Sequence, residues 1–405
     1  MGRLLTLAGA LAALLLAPAA GADEFDLSFD LRAVSTDATQ TRLTGGLGKL
    51  RYDEQTDGLQ LGYLRLGYRG DVTQTVRVAA ELVAYGDRDV NPAGLTELYG
   101  EWRPIPSSAW RSRVKLGAFY PEISLENRMR GWRSPYTLSF SALNTWVGEE
   151  LRTIGAEYSL DWLGRSHGHN FDFSLNAAAF GWNDTTGTVV ATRGWGLHDR
   201  QSVWLGRYAD GGSPLPARTV FYNDLDKRAG YYAGAAANYR GLLELRALHY
   251  DNRADLATGS VRIQDDAWLT YFESLGARWT PNDDWTIVGQ WLHGRTLVDA
   301  EVPHNAWSFH AEFLLASLQR GLMRYSVRYD RYRMQQTYSS YGGPSSLLAD
   351  DGHAWTIALI RDLGRHWSAA LEGIQSESSV PLRTALGQNA YAREQMLQLA
   401  LRYEL

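Results

Sequence analysis

The chain has 405 residues, a formal net charge of −5 and no cysteine. A mildly acidic chain with no polybasic tract lacks the electrostatic footprint of a nucleic-acid binder, and the absence of cysteine rules out a disulfide framework. Aromatic residues make up 12%, with 22 Tyr and 15 Trp, an excess that fits aromatic belts at two membrane interfaces or, alternatively, a Trp-rich sugar groove on a soluble β protein.

The N-terminus reads as an export signal. Arg3 is a minimal charged region, Leu4 to Leu16 an apolar run, and Ala20-Gly21-Ala22 a small-residue cleavage site. The expected organisation is therefore a cleaved signal peptide over 1–22 and one domain over 23–405. No later segment approaches 18 consecutive apolar residues, so a helical membrane bundle is excluded.

From there the period is two. Phe25, Leu27, Phe29 and Leu31 alternate with Asp26, Ser28, Asp30 and Arg32, an apolar face against a polar one. After a long gap come strand signals over 57–69, 72–86, 95–104 and 111–120. In the second of these Val76, Val78, Ala80 and Leu82 oppose Thr75, Arg77 and Glu81, and farther on Val114, Leu116 and Ala118 oppose Arg111, Arg113 and Lys115. Strand signals resume over 149–160, 170–182, 229–240, 242–251, 268–280, 284–295, 305–318, 321–333, 352–363, 365–376 and 392–405. That makes sixteen strands, joined alternately by short turns and long connections. Val189 to Trp195, inside a long connection, leaves an eighteen-strand reading open. Alternating loop lengths with an even strand count predict an all-β, antiparallel transmembrane β-barrel.

One stretch departs from this pattern. Tyr120 to Glu150 has no strict alternation, two prolines, and Glu122, Glu126, Arg128, Arg130, Arg133, Glu149 and Glu150. A long insert of this kind in a compact domain is usually functional, and we expect it to fold into the lumen and narrow it. The last strand, by contrast, alternates to the terminus: Leu397, Leu399, Leu401, Tyr403 and Leu405 share one face.

In this layout the chain resembles the Gram-negative porins, both general diffusion and phosphate-selective. The resemblance covers the whole mature chain in architecture, though Leu405 stands where those proteins usually end in an aromatic. It implies an outer-membrane channel for passive diffusion of small hydrophilic solutes, constricted by an inward third loop, here 120–150. It also implies a homotrimer and an environment of outer-membrane lipid and lipopolysaccharide. Acidic residues on that loop would face basic residues on the wall. Glu122 and Glu126, with Arg128, Arg130 and Arg133, are the loop candidates, and Arg77, Arg111, Arg113, Lys115, Arg324 and Arg328 the wall candidates. A competing reading has the wall cations simply paired with Glu81, Glu97 and Glu101, because lumen charges need partners. Only three of the 40 basic residues are lysine, which fits a guanidinium-lined path for an anion such as phosphate or an acidic saccharide, or merely a biased base composition.

No catalytic set, cofactor motif or metal site stands out. His198-Asp199 with Ser202 is adjacent in sequence only, and His167 and His169 lack a third ligand of suitable spacing. Gly45-Gly46-Leu47-Gly48 lacks the Lys-Ser/Thr of a phosphate loop. Acidic residues at Asp251, Asp255, Asp265, Asp266, Asp350 and Asp351 fall in long connections and read as solvated loop charge, the alternative being calcium binding or bridging of lipopolysaccharide through divalent ions. A barrel enzyme with a rim site, and a soluble carbohydrate-binding β protein, are the alternatives from other classes.

Overall fold

The alternating stretches pair edge to edge until the last meets the first. In the computed structural model, which describes residues 24–87, 92–204, 206–207, 220–260, 265–299, 305–338 and 347–405, the chain closes into an antiparallel barrel of sixteen strands. These are β1 (Glu24–Thr36), β2 (Gly58–Asp71), β3 (Val76–Ala84), β4 (Ala93–Trp102), β5 (Trp110–Phe119), β6 (Thr153–Trp162), β7 (Phe171–Gly181), β8 (Gly230–Tyr239) and β9 (Leu243–Asp251). They continue as β10 (Leu269–Trp279), β11 (Trp285–Val298), β12 (Asn305–Arg320), β13 (Met323–Tyr338), β14 (Ala349–Gly364), β15 (Trp367–Ser379) and β16 (Tyr391–Glu404). The expected signal peptide lies outside the described residues.

Closure removes every sheet edge, so each strand's backbone groups are satisfied without water. The seam is β1 against β16, with Asp30 opposite Arg402 and Arg32 opposite Ala400. There the Arg402 guanidinium donates to Asp30 (2.9 Å) and Arg32 to Gln398 (3.2 Å), so side chains reinforce the ladder from inside.

Two expectations are corrected. Val189–Trp195 is not a strand: Thr188–Arg193 form a short helix, α2, bracketed by Gly187 and Gly194 at positive φ, and the eighteen-strand reading falls. The strand expected from Glu149 begins only at Thr153, because Ala142–Glu150 form a helix, α1, capped by Ser141, whose hydroxyl accepts from the Asn144 N–H at 3.2 Å. The expected short turns are present within a few residues.

The outward face near the short turns carries an aromatic girdle. Phe25 lies tilted beside Tyr68 (5.1 Å), Phe171 beside Tyr239 (4.9 Å), and Trp367 edge-on to Tyr403 (5.0 Å). Above it sit exposed aliphatics such as Leu66, Leu116, Leu175, Leu275, Leu314 and Leu399. A soluble core would have buried them; here they face outward all around the cylinder.

Toward the long-loop end of the later strands the polarity inverts. On β12, Phe309, Ala311, Phe313 and Leu315 point inward and are buried, while His310 and Glu312 point outward. The barrel thus holds an apolar core of its own, built from Phe272, Leu292, Phe309 and Tyr332 of the wall together with Trp146, Val147, Val190 and Trp195 of the connections.

Leu399→Arg places a guanidinium midway up the outward face of β16. If lipid is what that face meets, the substitution should cost about 2–4 kcal/mol in denaturant titrations of protein folded into bilayers, whereas the same change at an exposed site in water is nearly neutral.

Candidate functional site

Three connections enter the lumen: 37–57, 120–152 and the first part of 182–229. Their backbones are tied to inward side chains of the wall.

The first turns on tight loop chemistry. The Thr41 hydroxyl donates to the Leu50 carbonyl (2.6 Å), and Gly46 lies so close to Gln40 that a Cβ would meet its carbonyl oxygen at 2.0 Å; only glycine fits. Lys49 is fully buried, with Nζ on Asp350 at 2.6 Å, and Arg42 pairs with Glu149. Asp350, expected as solvated loop charge, is therefore an interior partner.

The second, 120–152, is the insert singled out from sequence. Trp132 stacks on Tyr120 (4.4 Å), and the Arg152 guanidinium lies 3.5 Å above the other ring's centroid, that of Tyr120 itself. Farther along, the loop crosses to the opposite wall. Glu126 accepts from the Ser141 N–H (3.0 Å), from the Asn144 amide (2.9 Å) and from Arg328 on β13 (2.7 Å). Leu138 and Ser139 donate to Glu372 on β15 (2.6 and 3.1 Å), and Ala142 donates to Asp330 (3.0 Å). Asp330 and Glu126 thus stand at the N-terminus of α1, where its unpaired N–H groups favour negative charge. All nine residues of α1 are buried; Trp146 packs on Phe309 (5.0 Å) and Phe272 (5.4 Å), and its Nε1–H donates to Glu150.

The third connection locks onto the other two. Glu150 accepts from the N–H groups of Gly187 (3.1 Å) and Val189 (3.0 Å) at the start of α2, and burial pushes its carboxyl up to about 7. Asp199 sits between Arg32 of β1 (2.5 Å) and Arg51 of the first connection (2.8 Å). Despite burial, those two guanidinium groups hold its carboxyl well below the usual range.

The wall candidates divide. Glu122 meets Arg113 and Lys115 of β5, each at 3.3 Å, and Arg328 meets Glu126, so acidic loop against basic wall is realised at these two places. Burial opposes ionisation of Glu122, but Lys115, Arg113 and Arg246 outweigh it and hold the carboxyl down to about 2. Arg111 turns to Asp161 of β6 (2.9 Å) and Arg77 to Asp71 in its own hairpin (2.7 Å); neither touches the loop. Arg324 lies 5.5 Å from the Tyr136 ring centre and has no carboxylate partner among the described residues. On the loop, Arg128 pairs with Glu244, Arg130 with Glu24, and Arg133 with Glu404 (2.6 Å) and the Tyr63 hydroxyl (2.8 Å). The expected pairing of wall cations with Glu81 is made by Arg65 (3.3 Å).

A small space lies where loop and wall meet. A void of about 10 Å³ is rimmed by Tyr63, Arg65, Tyr85, Arg133, Asp199 and Arg402, room for about one water molecule. Sequence reasoning missed Arg65 and Arg402, yet each alternates with outward leucines as Arg113 does, and the same rule assigns them inward. It missed Arg32, Arg51 and Asp199 as a unit, since nothing local brings those three segments together. His198, Asp199 and Ser202 do not assemble: His198 lies 3.1 Å from Glu149, Asp199 holds arginines, and Ser202 bonds the Tyr222 hydroxyl. Asp184, Asp224 and Asp226 bring carboxylate oxygens within 4.8 Å of one another, but Asp184 already accepts from the Leu225 and Asp226 N–H groups.

The fold has solved counterparts. Salmonella typhi OmpF in complex with daunomycin matches at 10% identity over 95% of this chain and 97% of that one (TM-score 0.53). The outer membrane channel DcaP of Acinetobacter baumannii gives the same figures, 10%, 95%, 97% and 0.53. An anion-selective porin from Comamonas acidovorans matches at 13% over 95% and 99% (TM-score 0.51). The barrel is porin-like in fold. No protein-family model and no curated protein sequence matches the chain.

Glu126→Ala would remove the loop carboxylate from Arg328, which keeps Asp330 and the loop acceptors Thr137, Ser139 and Phe140. Losing one hydrogen bond to a charged group costs about 1.5–3 kcal/mol, and hydrogen exchange should show faster opening across 124–144 than in the unchanged protein. The Glu122 clamp has its own pH window: because its carboxyl is depressed, the stabilisation is complete above the ordinary carboxylate range near 4.5 and is lost as pH falls toward about 2. Exchange protection at 121–123 should therefore hold from neutrality to about pH 4.5 and decline below it, and Glu122→Gln should abolish that decline.

Proposed function

We propose that this barrel is a solute channel of the Gram-negative outer membrane, passed passively by small hydrophilic molecules and constricted by the loop 120–150. The observation that carries it is the course of that loop, which leaves β5, crosses the lumen and is bonded to inward charges of β13, β15 and β16, with a small arginine-rimmed void beside it. Inward charge that bonds a loop instead of facing a soluble core fits a lumen better than a binding protein or a rim enzyme.

Anions are the favoured solutes. Arg65, Arg133 and Arg402 converge on the void, each also paired with a wall carboxylate, Glu81, Glu404 and Asp30, and guanidinium groups lining a narrow aqueous path favour negative charge. A homotrimer is the assembly we favour. β3 to β9 are only 9–11 residues long against 13–16 for β11 to β16, and the outward positions of the early strands form an uncharged face suited to a neighbouring copy.

Single-channel recording in planar bilayers tests the proposal. Small, discrete openings are expected, with a reversal potential toward the anion equilibrium under a salt gradient. Replacing Arg128–Asn144 by a short Gly-Ser linker should raise conductance several-fold. A protein folded by heat-modifiable migration that never conducts, with or without the loop, would end the channel reading.

A further inference from the structure

Where the polarity of the later strands inverts, histidines gather on the outer surface. Four of the chain's nine, His249, His293, His310 and His353, occupy outward positions of β9, β11, β12 and β14 near the long-loop ends. Two of them face each other. His293 of β11 stands directly opposite His310 of β12, a register that puts the Cβ atoms about 4.5–5.5 Å apart, and the ring centres are separated by 6.4 Å. A carboxylate flanks each ring. Glu273 of β10 is directly opposite His293, and Glu312, two residues along β12, brings Oε2 to 3.7 Å from the His310 Nε2.

Opposed histidines can also be plain polar surface, so their other neighbours decide. His293 has no hydrogen bond or ion pair among the described residues, which leaves both ring nitrogens open to a ligand. Trp291 closes the lower side, its ring centre 6.1 Å from that of His293 and 6.0 Å from that of His310; the three rings bound a shallow recess that opens to water. Arg333 stands opposite His310 and Arg331 opposite Glu312, and two free guanidinium groups there would repel a cation. Both are drawn instead to Asp351 on the next strand (3.5 and 3.1 Å). Arg295, one outward step above His293, is exposed and has room to extend into solvent.

We propose that His293 and His310 are the paired ligands of a surface site for an imidazole-preferring divalent transition metal, Zn²⁺ or Cu²⁺ in chemical class, completed by Glu312 and water. Neutral imidazole is the commonest protein ligand for such ions, and three protein ligands with one water make an ordinary zinc shell. Glu273 is already held by the His249 Nδ1 at 3.3 Å and serves as the outer carboxylate behind His293. A tetrahedral ion with Zn–N bonds of about 2.0–2.1 Å sets two bound ring centres roughly 5 Å apart. The rings therefore need to approach by only about 1 Å, a side-chain rotation that leaves the strands in place. The ion staples β11 to β12 above the leucine belt, where water can fill its shell. The inference stands whether or not the barrel conducts.

The test is isothermal titration of Zn²⁺ into the untagged full-length protein in detergent, with excess Mg²⁺ present to occupy sites built from oxygen alone, whether loop carboxylates or lipid phosphates. Heat-modifiable migration establishes that each variant is folded. The unchanged protein should take up one Zn²⁺ per chain. H293A/H310A should weaken that binding by about tenfold or more, and E312Q should weaken it to a smaller degree. H353A, which removes a histidine of the same band that has no histidine opposite it, should bind as the unchanged protein does. With Cu²⁺ as the probe, electron paramagnetic resonance should show nitrogen couplings from two imidazoles, reduced to one in H310A. Folded protein that takes up no Zn²⁺ overturns the proposal, as does equal binding by H293A/H310A. Equal weakening by H353A would assign the metal to the histidine band as a whole, and loss of Zn²⁺ to excess Mg²⁺ would assign it to oxygen ligands; either result also overturns it.

Discussion

Arg328 has no water to face. It is fully buried, bonded through Nε to Asp330 (2.8 Å) and through Nη1 to Glu126 (2.7 Å), and its remaining donors reach Thr137, Ser139 and Phe140. A sealed sixteen-strand cylinder can leave an inward guanidinium to solvent or give it a partner; here the partner is a loop. The same requirement recurs with Lys49 and Asp350, Arg42 and Glu149, and Asp199 between Arg32 and Arg51. Interior polypeptide and wall are therefore one hydrogen-bonded unit. Removing one partner leaves a buried charge uncompensated, which is why these pairs are rigid anchors whatever their net contribution to stability.

Around those anchors the interior is partly dry. Trp146 and Trp195 meet Phe309 and Phe272 across the lumen, contacts of a kind found in a folded core. One charged part of the interior lies nearer the short turns, with Arg111, Arg113, Lys115, Glu122, Glu157 and Asp161.

How far this was legible in the sequence depends on the distance over which each signal acts. Strand number, turn positions and the anomaly of 120–150 are local and could be read, because period-two alternation and turn residues are encoded within a few positions. A reading with one fixed parity, apolar outward, succeeds on β2 to β8 and on the lower part of β12, where Leu314 and Leu318 face out. It fails above Leu314, where His310 and Glu312 face out and Phe309 and Phe313 face in. Nothing within β12 announces the inversion; it reflects what the loops bring into the barrel. Val189 and Val190 misled for a similar reason: β-branched residues favour strands, but Glu150 captures their N–H groups and makes a helix. Among the site residues, Glu122 with Lys115 and Glu126 with Arg328 met as the loop-against-wall pattern implied. Arg77 and Arg111 instead found acids in or beside their own hairpins, where strand geometry supplies a partner sooner.

The seam between β1 and β16 has a consequence for biogenesis. Asp30 and Arg32 of the first strand are engaged at once by Arg402 and Gln398 of the last and by Asp199 from the middle of the chain. The final zipper thus closes over a carboxylate delivered by an internal segment. The joint therefore ties the first strand, the last strand and an internal segment into one bonded unit.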